Sequence, residues 1–190
     1  DSQEYNLINV NLRADVYFDA SRFIRHTYTS SSCGICGKTL LSTLKPLYPI
    51  PIPSPVIAVQ TLTQLLETVS LYQPLFRATG GTHGAALFTY QGILIQLCED
   101  IGRHNAVDKV IGSQFLNSKV PLAETLLFVS GRASFEILQK ALMAGIPIVV
   151  AVGAASSLAI ELAKQFGITL IGFANPHKLN IYTHANRIIL

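Results

Sequence analysis

The chain has 190 residues, of which 49% are apolar and 13% charged, and its net charge is +3. This length and composition predict one domain with a large buried core. Lys and Arg are scattered and form no basic run, so nothing favours a nucleic-acid partner. The longest apolar runs, such as residues 146–152, are too short to span a bilayer, so no membrane segment is expected.

Residues 1–58 are predicted to form an N-terminal segment of strand, loop and linker. Apolar Ile8, Val10 and Leu12 alternate with polar residues, which is typical of a half-buried strand. A Ser- and Gly-rich loop follows, and then a run of prolines that predicts an extended linker. The chain begins at Asp1, almost directly in the strand pattern, so we expect a preceding segment to be missing.

Residues 59–190 are predicted to form the main α/β domain. Leu62, Leu65 and Val69 recur at helical spacing, and a Gln91-Gly92 turn predicts a β-hairpin. Continuous apolar strands then alternate with helices, which is typical of a parallel sheet buried on both faces. The predicted later elements are helices at about 103–116, 134–145 and 156–167 and strands at 126–129, 146–152 and 168–173. The fold class is therefore α/β, a three-layer domain with a mixed sheet plus a small N-terminal β segment.

Cys33 and Cys36 form a Cys-x-x-Cys motif in the Ser- and Gly-rich loop. Exposed backbone N–H groups and nearby cations, such as Lys38, lower the pKa of a thiol and make it a nucleophile. Two inert buried thiols are the alternative, but buried cysteines seldom lie in such a loop. The three cysteines cannot all pair, and no secretory signal is visible, so a reducing cytoplasm is expected.

Several chemistries could use this motif. Structural zinc requires four ligands, and no second Cys-x-x-Cys is present. A zinc deaminase requires a His-x-Glu or Cys-x-Glu sequence, which is absent. A dithiol oxidoreductase begins a helix with its motif, whereas this loop precedes the prolines. What remains is a nucleophilic thiol that accepts a sulfane sulfur, with no bound metal.

Glycines are clustered at one further place in the sequence, and charged residues at another. Residues 79–84 contain Gly80, Gly81 and His83, and they fit either a backbone anion site or a tight turn entering a strand. Residues 99–105 have two possible roles. They could form surface ion pairs at four-residue spacing, Glu99 with Arg103 and His104 with Asp108, or they could form the wall of a pocket. Leu97 and Ile101 suggest that this second junction is partly buried.

The turns after the predicted parallel strands are candidate phosphate sites. Ser130 and Arg132 follow one strand, at the edge where α/β sheets bind ligands. Ser134 and Ser156 precede helices and are expected to cap their first N–H groups. Residues 173–178 leave the last parallel strand and fit either a surface loop or a cationic clamp on a nucleotide.

The combined motifs resemble the formate dehydrogenase accessory sulfurtransferase family (FdhD). The matches cover most of the chain in one order. They are SSSCGICGK at 30–38, TGGTHGAAL at 79–87, CEDIGRHNAVDKVIG at 98–112, SGRASFEILQKA at 130–141, and GF followed by NIYTH at 172–184.

The resemblance implies a cytidine-deaminase-like fold, a cytoplasmic location and a homodimer. It implies a sulfurtransferase that takes sulfur from a cysteine desulfurase, with Cys33 as persulfide carrier and Cys36 in support. The acceptor would be the molybdenum cofactor, bis(molybdopterin guanine dinucleotide), bound as a client for formate dehydrogenase rather than as a permanent cofactor. The implied cofactor-binding segment is Phe173, Ala174, Asn175, Pro176, His177 and Lys178.

This chain departs from many relatives at Asn175, Pro176 and His177, while Lys178 keeps a positive charge. Two alternative functions remain. One is a non-catalytic chaperone that only binds the guanine-nucleotide cofactor, and the other is a zinc-dependent nucleobase deaminase.

Overall fold

A computed structural model describes residues 9, 11–17 and 56–189. The chain divides into two compact units, Asp1–Ile35 and Cys36–Leu190. The predicted division after residue 58 stays a prediction, because the proline-rich segment lies outside the described residues.

The described part of the first unit is irregular. Residues 11–17 contain a turn, in which Val16 N donates a hydrogen bond to Arg13 O at 3.0 Å. The guanidinium of Arg13 also pairs with the Asp15 carboxylate, with Nε 2.9 Å from Oδ1. Leu12 is half-exposed and lies in no strand. The predicted strand is therefore wrong at Leu12, while Ile8 and Val10 lie outside the described residues.

The second unit alternates strands and helices as the sequence predicts. The strands are β1 (Ile57–Ala58), β2 (His83–Thr89), β3 (Leu94–Asp100), β4 (Thr125–Val129), β5 (Ile148–Ala151), β6 (Thr169–Asn175), β7 (Lys178–Ile181) and β8 (Ile188–Ile189). The helices are α1 (Val59–Leu71), α2 (Pro74–Thr79), α3 (Arg103–Leu116), α4 (Phe135–Met143) and α5 (Ser157–Gln165), and a 3₁₀ turn spans Ala185–Arg187.

Six strands form one mixed sheet in the order β3-β2-β4-β5-β6-β7. β4, β5 and β6 are parallel, whereas β3, β2 and β7 run antiparallel to their neighbours. In the register, Ala85 on β2 lies opposite Val129 on β4. Because β2 is antiparallel to β4, the beginning of β2 lies at the same edge as the end of β4. A small parallel sheet, β1 with β8, pairs Ile57 with Ile188.

Both faces of the large sheet are buried. On one face, Leu65 and Val69 of α1 pack with Phe88 and Phe128 in a hydrophobic cluster. Leu127, one residue before Phe128, is also fully buried and points to the opposite face, since side chains alternate along a strand. α3 packs on β2 and β3. Burial on both faces explains why the central strands are continuous apolar runs.

The mixed α/β fold and the hairpin of β2 and β3 are confirmed. The sequence did not predict α2, β7, the 3₁₀ turn, or the pairing of β1 with β8. The cytidine-deaminase-like identity of the fold stays a prediction.

Candidate functional site

The predicted turns meet at the carboxyl ends of the parallel strands. Gly131 follows β4, Gly153 follows β5, and Phe173 lies near the end of β6. Gly153 N donates to Gly131 O at 2.9 Å, and Phe173 N donates to Gly153 O at 3.1 Å. These hydrogen bonds join the three strand ends into one rim, at the edge where open α/β sheets bind ligands.

A pocket of about 380 Å³ lies at this edge. It brings together four predicted binding residues, Gly80, Gly81, His83 and Ser130. We name it the Gln73 pocket after a glutamine in its wall. Its apolar walls are Leu66, Val69, Phe76, Phe128 and Val152. Apolar walls with a few fixed polar groups are typical of small-molecule sites.

A second pocket of about 510 Å³, here the hairpin pocket, adjoins the first, because Val152 lines both. Phe173, Ala174, Asn175 and Lys178 of the predicted cofactor-binding segment line it, together with Asn180.

The predicted loop at 173–178 is a β-hairpin, because β6 continues to Asn175 and β7 begins at Lys178. The Asn175 carboxamide oxygen shapes its turn by accepting from His177 N and Lys178 N, each at 3.0 Å. Pro176 and His177 are exposed at the tip and do not line the hairpin pocket.

Phe173 has an unusual backbone and an exposed ring. Its φ is +51°, in the left-handed region that a non-glycine residue rarely adopts, and 45% of the residue is exposed. Such strain is often retained at functional sites. The conformation leaves an aromatic ring at the hairpin pocket.

Glu99 fixes the glycine loop of the Gln73 pocket. Its carboxylate accepts hydrogen bonds from Leu75 N (2.9 Å), Phe76 N (2.7 Å) and Thr82 Oγ1 (2.9 Å). α2 ends at Thr79 and is capped by Gly80, whose φ of +63° suits glycine. Glu99 therefore joins the beginning of α2 to the residue before β2. The predicted surface pair of Glu99 with Arg103 is wrong, because the carboxylate is used here.

Ser130 is held by β2. Its Oγ accepts from Gly84 N at 2.9 Å, and its backbone N donates to Gly84 O at 2.9 Å. The same Oγ lies 3.4 Å from His83 Nδ1. When the hydroxyl donates to Nδ1, the neutral imidazole keeps its proton on Nε2. Ser130 thus positions His83 more than it offers a free phosphate ligand.

Arg103 brings a positive charge against the same turn. A Cβ built at Gly131 would lie 3.4 Å from both Arg103 Cδ and His83 Nδ1, so Gly131 separates the two side chains. Arg103 Nε is buried and makes no hydrogen bond within the described chain. Arg132 is exposed and lines neither pocket. Arg103, rather than Arg132, is therefore the cation that packs against the turn at Gly131. The sequence indicated Arg103 only as a member of the 99–105 cluster.

His104 faces α4. Its Nε2 lies 3.1 Å from Ser134 Oγ and 3.9 Å from Glu136 Oε2. Burial, followed by the charge of Arg103, lowers the pKa of His104, and Glu136 opposes this only in part. The predicted His104–Asp108 pair is wrong. Asp108 pairs with Lys140, whose Nζ lies 2.7 Å from Oδ2.

The two predicted serine caps have different outcomes. Ser156 Oγ accepts from Ala159 N at 3.2 Å, so its cap is confirmed. Ser134 makes no side-chain cap at α4, because its hydroxyl contacts His104 instead.

The turn after β3 is partly buried, as predicted, because Asp100, Gly102, Arg103 and His104 are all intermediate in exposure. Ile101 is 83% exposed, so its predicted burial is wrong. Asp100 forms the ordered part of this turn, pairing with Lys109 Nζ at 2.6 Å and accepting from Gly102 N at 2.8 Å. The hydrogen bond from Lys109, followed by that from Gly102, lowers the pKa of Asp100 to about 2.

Cys33 and Cys36, the predicted reactive centre, lie outside the described residues. Cys98 on β3 is a free, partly buried thiol with its Sγ 3.6 Å from Gln96 Nε2. It lines neither pocket.

Within residues 56–189, no helix is both long and apolar enough to cross a membrane. No three His, Cys, Asp or Glu side chains in the described ranges are grouped to hold a metal ion.

The mixed sheet, with glycine turns and two adjoining pockets at its strand ends, places the chain in the mixed α/β class of proteins. The model of the FdhD/NarQ family matches residues 2–189. The chain therefore belongs to the FdhD/NarQ family, and the family predicted from the motifs is confirmed.

Relatives described as "Sulfur carrier protein FdhD" are similar over nearly the whole chain. The protein from Nocardia farcinica is 47% identical over 186 residues, which are 97% of this chain and 65% of that protein. The protein from Saccharolobus solfataricus is 42% identical over 185 residues, 97% of this chain and 69% of that protein. The chain thus spans about two thirds of the length of these relatives.

A solved structure has the same fold. It is a crystal structure from Desulfotalea psychrophila, described as that of a formate dehydrogenase accessory protein. It matches with a TM-score of 0.68 and 30% sequence identity, over 80% of this chain and 63% of that one.

Proposed function

We propose that this protein is a sulfur carrier in the maturation of formate dehydrogenase. In this proposal, Cys33 takes sulfur from a cysteine desulfurase as a persulfide and passes it to the molybdenum cofactor, bis(molybdopterin guanine dinucleotide). Membership of the FdhD/NarQ family and the names of the relatives support the sulfur chemistry. The observation that carries the choice of acceptor is the adjacency of the two pockets through Val152.

The described residues fit a large anionic ligand with flat rings. The hairpin pocket offers the ring of Phe173 for stacking a base and the exposed ammonium of Lys178 for a phosphate. Beside the Gln73 pocket, Arg103 Nε is a buried donor without a partner among the described residues. When bound, the cofactor supplies the metal that receives the sulfur. The chain supplies the binding surface and the thiol.

The loading step on Cys33 is a thiol–disulfide type of exchange. The Cys33 thiolate attacks the outer sulfur of the desulfurase persulfide, the sulfur–sulfur bond of that persulfide breaks, and the desulfurase thiolate leaves. Cys33 then carries the transferred sulfur, and no net oxidation or reduction has occurred. Cys36 is proposed to support this centre.

Mass spectrometry of the protein after incubation with a cysteine desulfurase and cysteine tests the proposal. The wild type should gain the mass of one sulfur atom, released by a thiol reductant. Cys33→Ala should lose this gain, whereas Cys98→Ala should keep it, because Cys98 lines neither pocket. Undiminished labelling of Cys33→Ala would refute the assignment.

A non-catalytic cofactor chaperone is the second candidate. It is favoured by one observation, that no cysteine is among the described residues that line the two pockets. This candidate predicts that replacing both Cys33 and Cys36 leaves activation of formate dehydrogenase intact. The sulfur-carrier proposal predicts that activation is lost while nucleotide binding remains.

We also propose that the protein is cytoplasmic and that it forms a homodimer. A groove of about 300 Å³ between α3 and α4 supports the dimer, because the apolar side chains of Ile111, Phe115 and Met143 line it and Phe115 is 65% exposed. Light scattering should give the mass of two chains, and Phe115→Glu should reduce it to one. An unchanged mass would place the interface elsewhere.

A further inference from the structure

Gly112 lies in the interior of α3, where nothing in the described chain requires a glycine. α3 spans Arg103–Leu116, so the backbone at residue 112 is helical and any residue could adopt it. A Cβ built at Gly112 would meet no atom of the described chain within 4 Å, so no close approach requires glycine either. Glycine also weakens a helix relative to alanine. The missing side chain leaves a notch on the surface of α3, in the groove that this helix forms with α4.

Phe115 has the shape that this notch lacks. It is three residues further along α3, lines the same groove and is 65% exposed. Residues three or four positions apart are neighbours on one face of a helix, so the ring projects beside the notch. The groove of about 300 Å³ has room for one more ring, since a cavity of about 150 Å³ already holds benzene. The same helix face therefore carries both a projecting ring and a space for one.

Opposite charges stand at the two ends of this face. Asp108, four residues before Gly112, lines the groove, and its side chain is 54% exposed. Lys119, four residues after Phe115, is exposed just beyond the end of α3. Its backbone N donates a hydrogen bond to Gln114 O at 3.0 Å, which holds this turn against the helix end. The order along the face is therefore acid, notch, ring and base, at separations of four, three and four residues.

This order is complementary to itself when it is reversed. If two copies pack α3 against α3 in opposite directions about a two-fold axis, the notch meets the ring twice and the acid meets the base twice. A single sequence thus supplies both sides of a contact that matches in shape and in charge.

We infer that a second copy of this chain binds at the groove between α3 and α4 in this register. Phe115 of each subunit occupies the notch at Gly112 of the other, and Asp108 faces the partner's Lys119. The inference rests on the homodimer proposed above and adds its interface, its symmetry and its register.

Mixing of two charge-reversed variants of the full chain tests the register. Asp108→Lys and Lys119→Asp each place like charges opposite each other at both contacts, so each alone should raise the Kd of the dimer by about tenfold or more. A one-to-one mixture restores both opposite-charge contacts, because each subunit supplies the charge that the other lacks. The mixture should form a heterodimer with about the wild-type Kd. Light scattering gives the Kd, and native mass spectrometry separates the heterodimer from the two homodimers.

The mixture also excludes an ion pair within one subunit, because such a pair is not restored by a second chain. Lys164→Asp is the matched control. It changes the net charge as Lys119→Asp does, but it lies in the last turn of α5, so it should leave the Kd of the dimer unchanged.

Gly112→Ala tests the notch separately. Its methyl group takes space that the partner's Phe115 occupies, so the Kd of the dimer should rise by about tenfold. In solutions dilute enough to contain single subunits, the same variant should be at least as resistant to heat as the wild type, because alanine favours the helix. A weaker dimer of a more stable subunit is not explained by damage to the fold.

The inference is overturned if either charge variant dimerises like the wild type, if the mixture stays monomeric, or if Gly112→Ala leaves the Kd unchanged. If a charge variant does not fold, Gly112→Ala decides. A wild type with the mass of one chain at every concentration refutes the proposed homodimer together with the inference, whereas a wild-type dimer that tolerates the variants refutes the inference alone. The sulfur-carrier proposal is decided independently, by the labelling of Cys33.

Discussion

The carboxylate of Glu99 accepts a hydrogen bond from Thr82 Oγ1 at 2.9 Å and, through the same oxygen, one from Phe76 N at 2.7 Å. One side chain on β3 thereby fixes both ends of the segment that carries Gly80 and Gly81. Since those glycines line the Gln73 pocket, Glu99 is a positioning residue for the pocket without lining it.

Glu99→Gln should destabilise the protein by about 1–3 kcal/mol, because an amide nitrogen cannot accept the backbone N–H bonds at α2. Urea unfolding measures this change. The matched control is Glu67→Gln, since Glu67 is exposed on α1 and no hydrogen bond to another described residue uses its carboxylate. Equal effects of the two substitutions would contradict the role given to Glu99.

Two glycines should respond to alanine in opposite directions. At Gly153 a Cβ would lie 2.9 Å from both the backbone N and the Cα of Arg132, so Gly153→Ala should destabilise by about 1–3 kcal/mol through overpacking. At Gly112, inside α3, nothing lies within 4 Å of the added Cβ. Gly112→Ala should therefore stabilise by about 0.5–1 kcal/mol, since alanine favours the helix. Thermal and urea unfolding of the two variants measure the change in the free energy of unfolding. A change of the same sign in both variants would refute the packing argument.

The sequence predicts those elements whose cause is local. Leu126–Val129 is a continuous apolar run because both faces of β4 are covered, and the turn at Gly92 has the positive φ (+79°) that a tight hairpin turn requires. α2 could not be predicted, because its six residues include no complete apolar period.

The site was predicted in parts, and only the topology unites them. His83 and Ser130 are 47 residues apart, and the antiparallel pairing of β2 with β4 brings them together. The sequence predicted an ion pair of Glu99 with Arg103, because a four-residue spacing can be seen in a sequence. The hydrogen bond that Glu99 accepts from Leu75 N joins residues 24 positions apart, and no local pattern predicts it. Gln73 lies in no motif, and only the fold places it in the wall of the pocket.

His104 should make stability depend on pH near neutrality. Its pKa in the folded protein is lowered from 6.5, mainly by burial, so the unfolded chain binds more protons below that value. The stability contribution is therefore fully present above about pH 6.5 and is lost as the pH falls towards the folded pKa. His104→Gln should flatten this part of the profile, whereas His177→Gln, at the exposed hairpin tip, should not. Urea unfolding on both sides of pH 6.5 measures the difference, and a wild-type profile that is already flat would contradict the prediction.

Lys178 should contribute to nucleotide binding through charge. Its ammonium is exposed at the hairpin pocket, where a phosphate can approach it, so Lys178→Ala should weaken binding of guanosine monophosphate by about tenfold at low salt. Screening should reduce this difference as the salt concentration rises. Lys164→Ala is the matched control, because Lys164 is also exposed but lies in the last turn of α5, at the opposite edge of the sheet from the rim. Titration calorimetry at two salt concentrations distinguishes the outcomes. If Lys164→Ala weakens binding as much as Lys178→Ala does, the effect is one of net charge, and the hairpin is not the phosphate site.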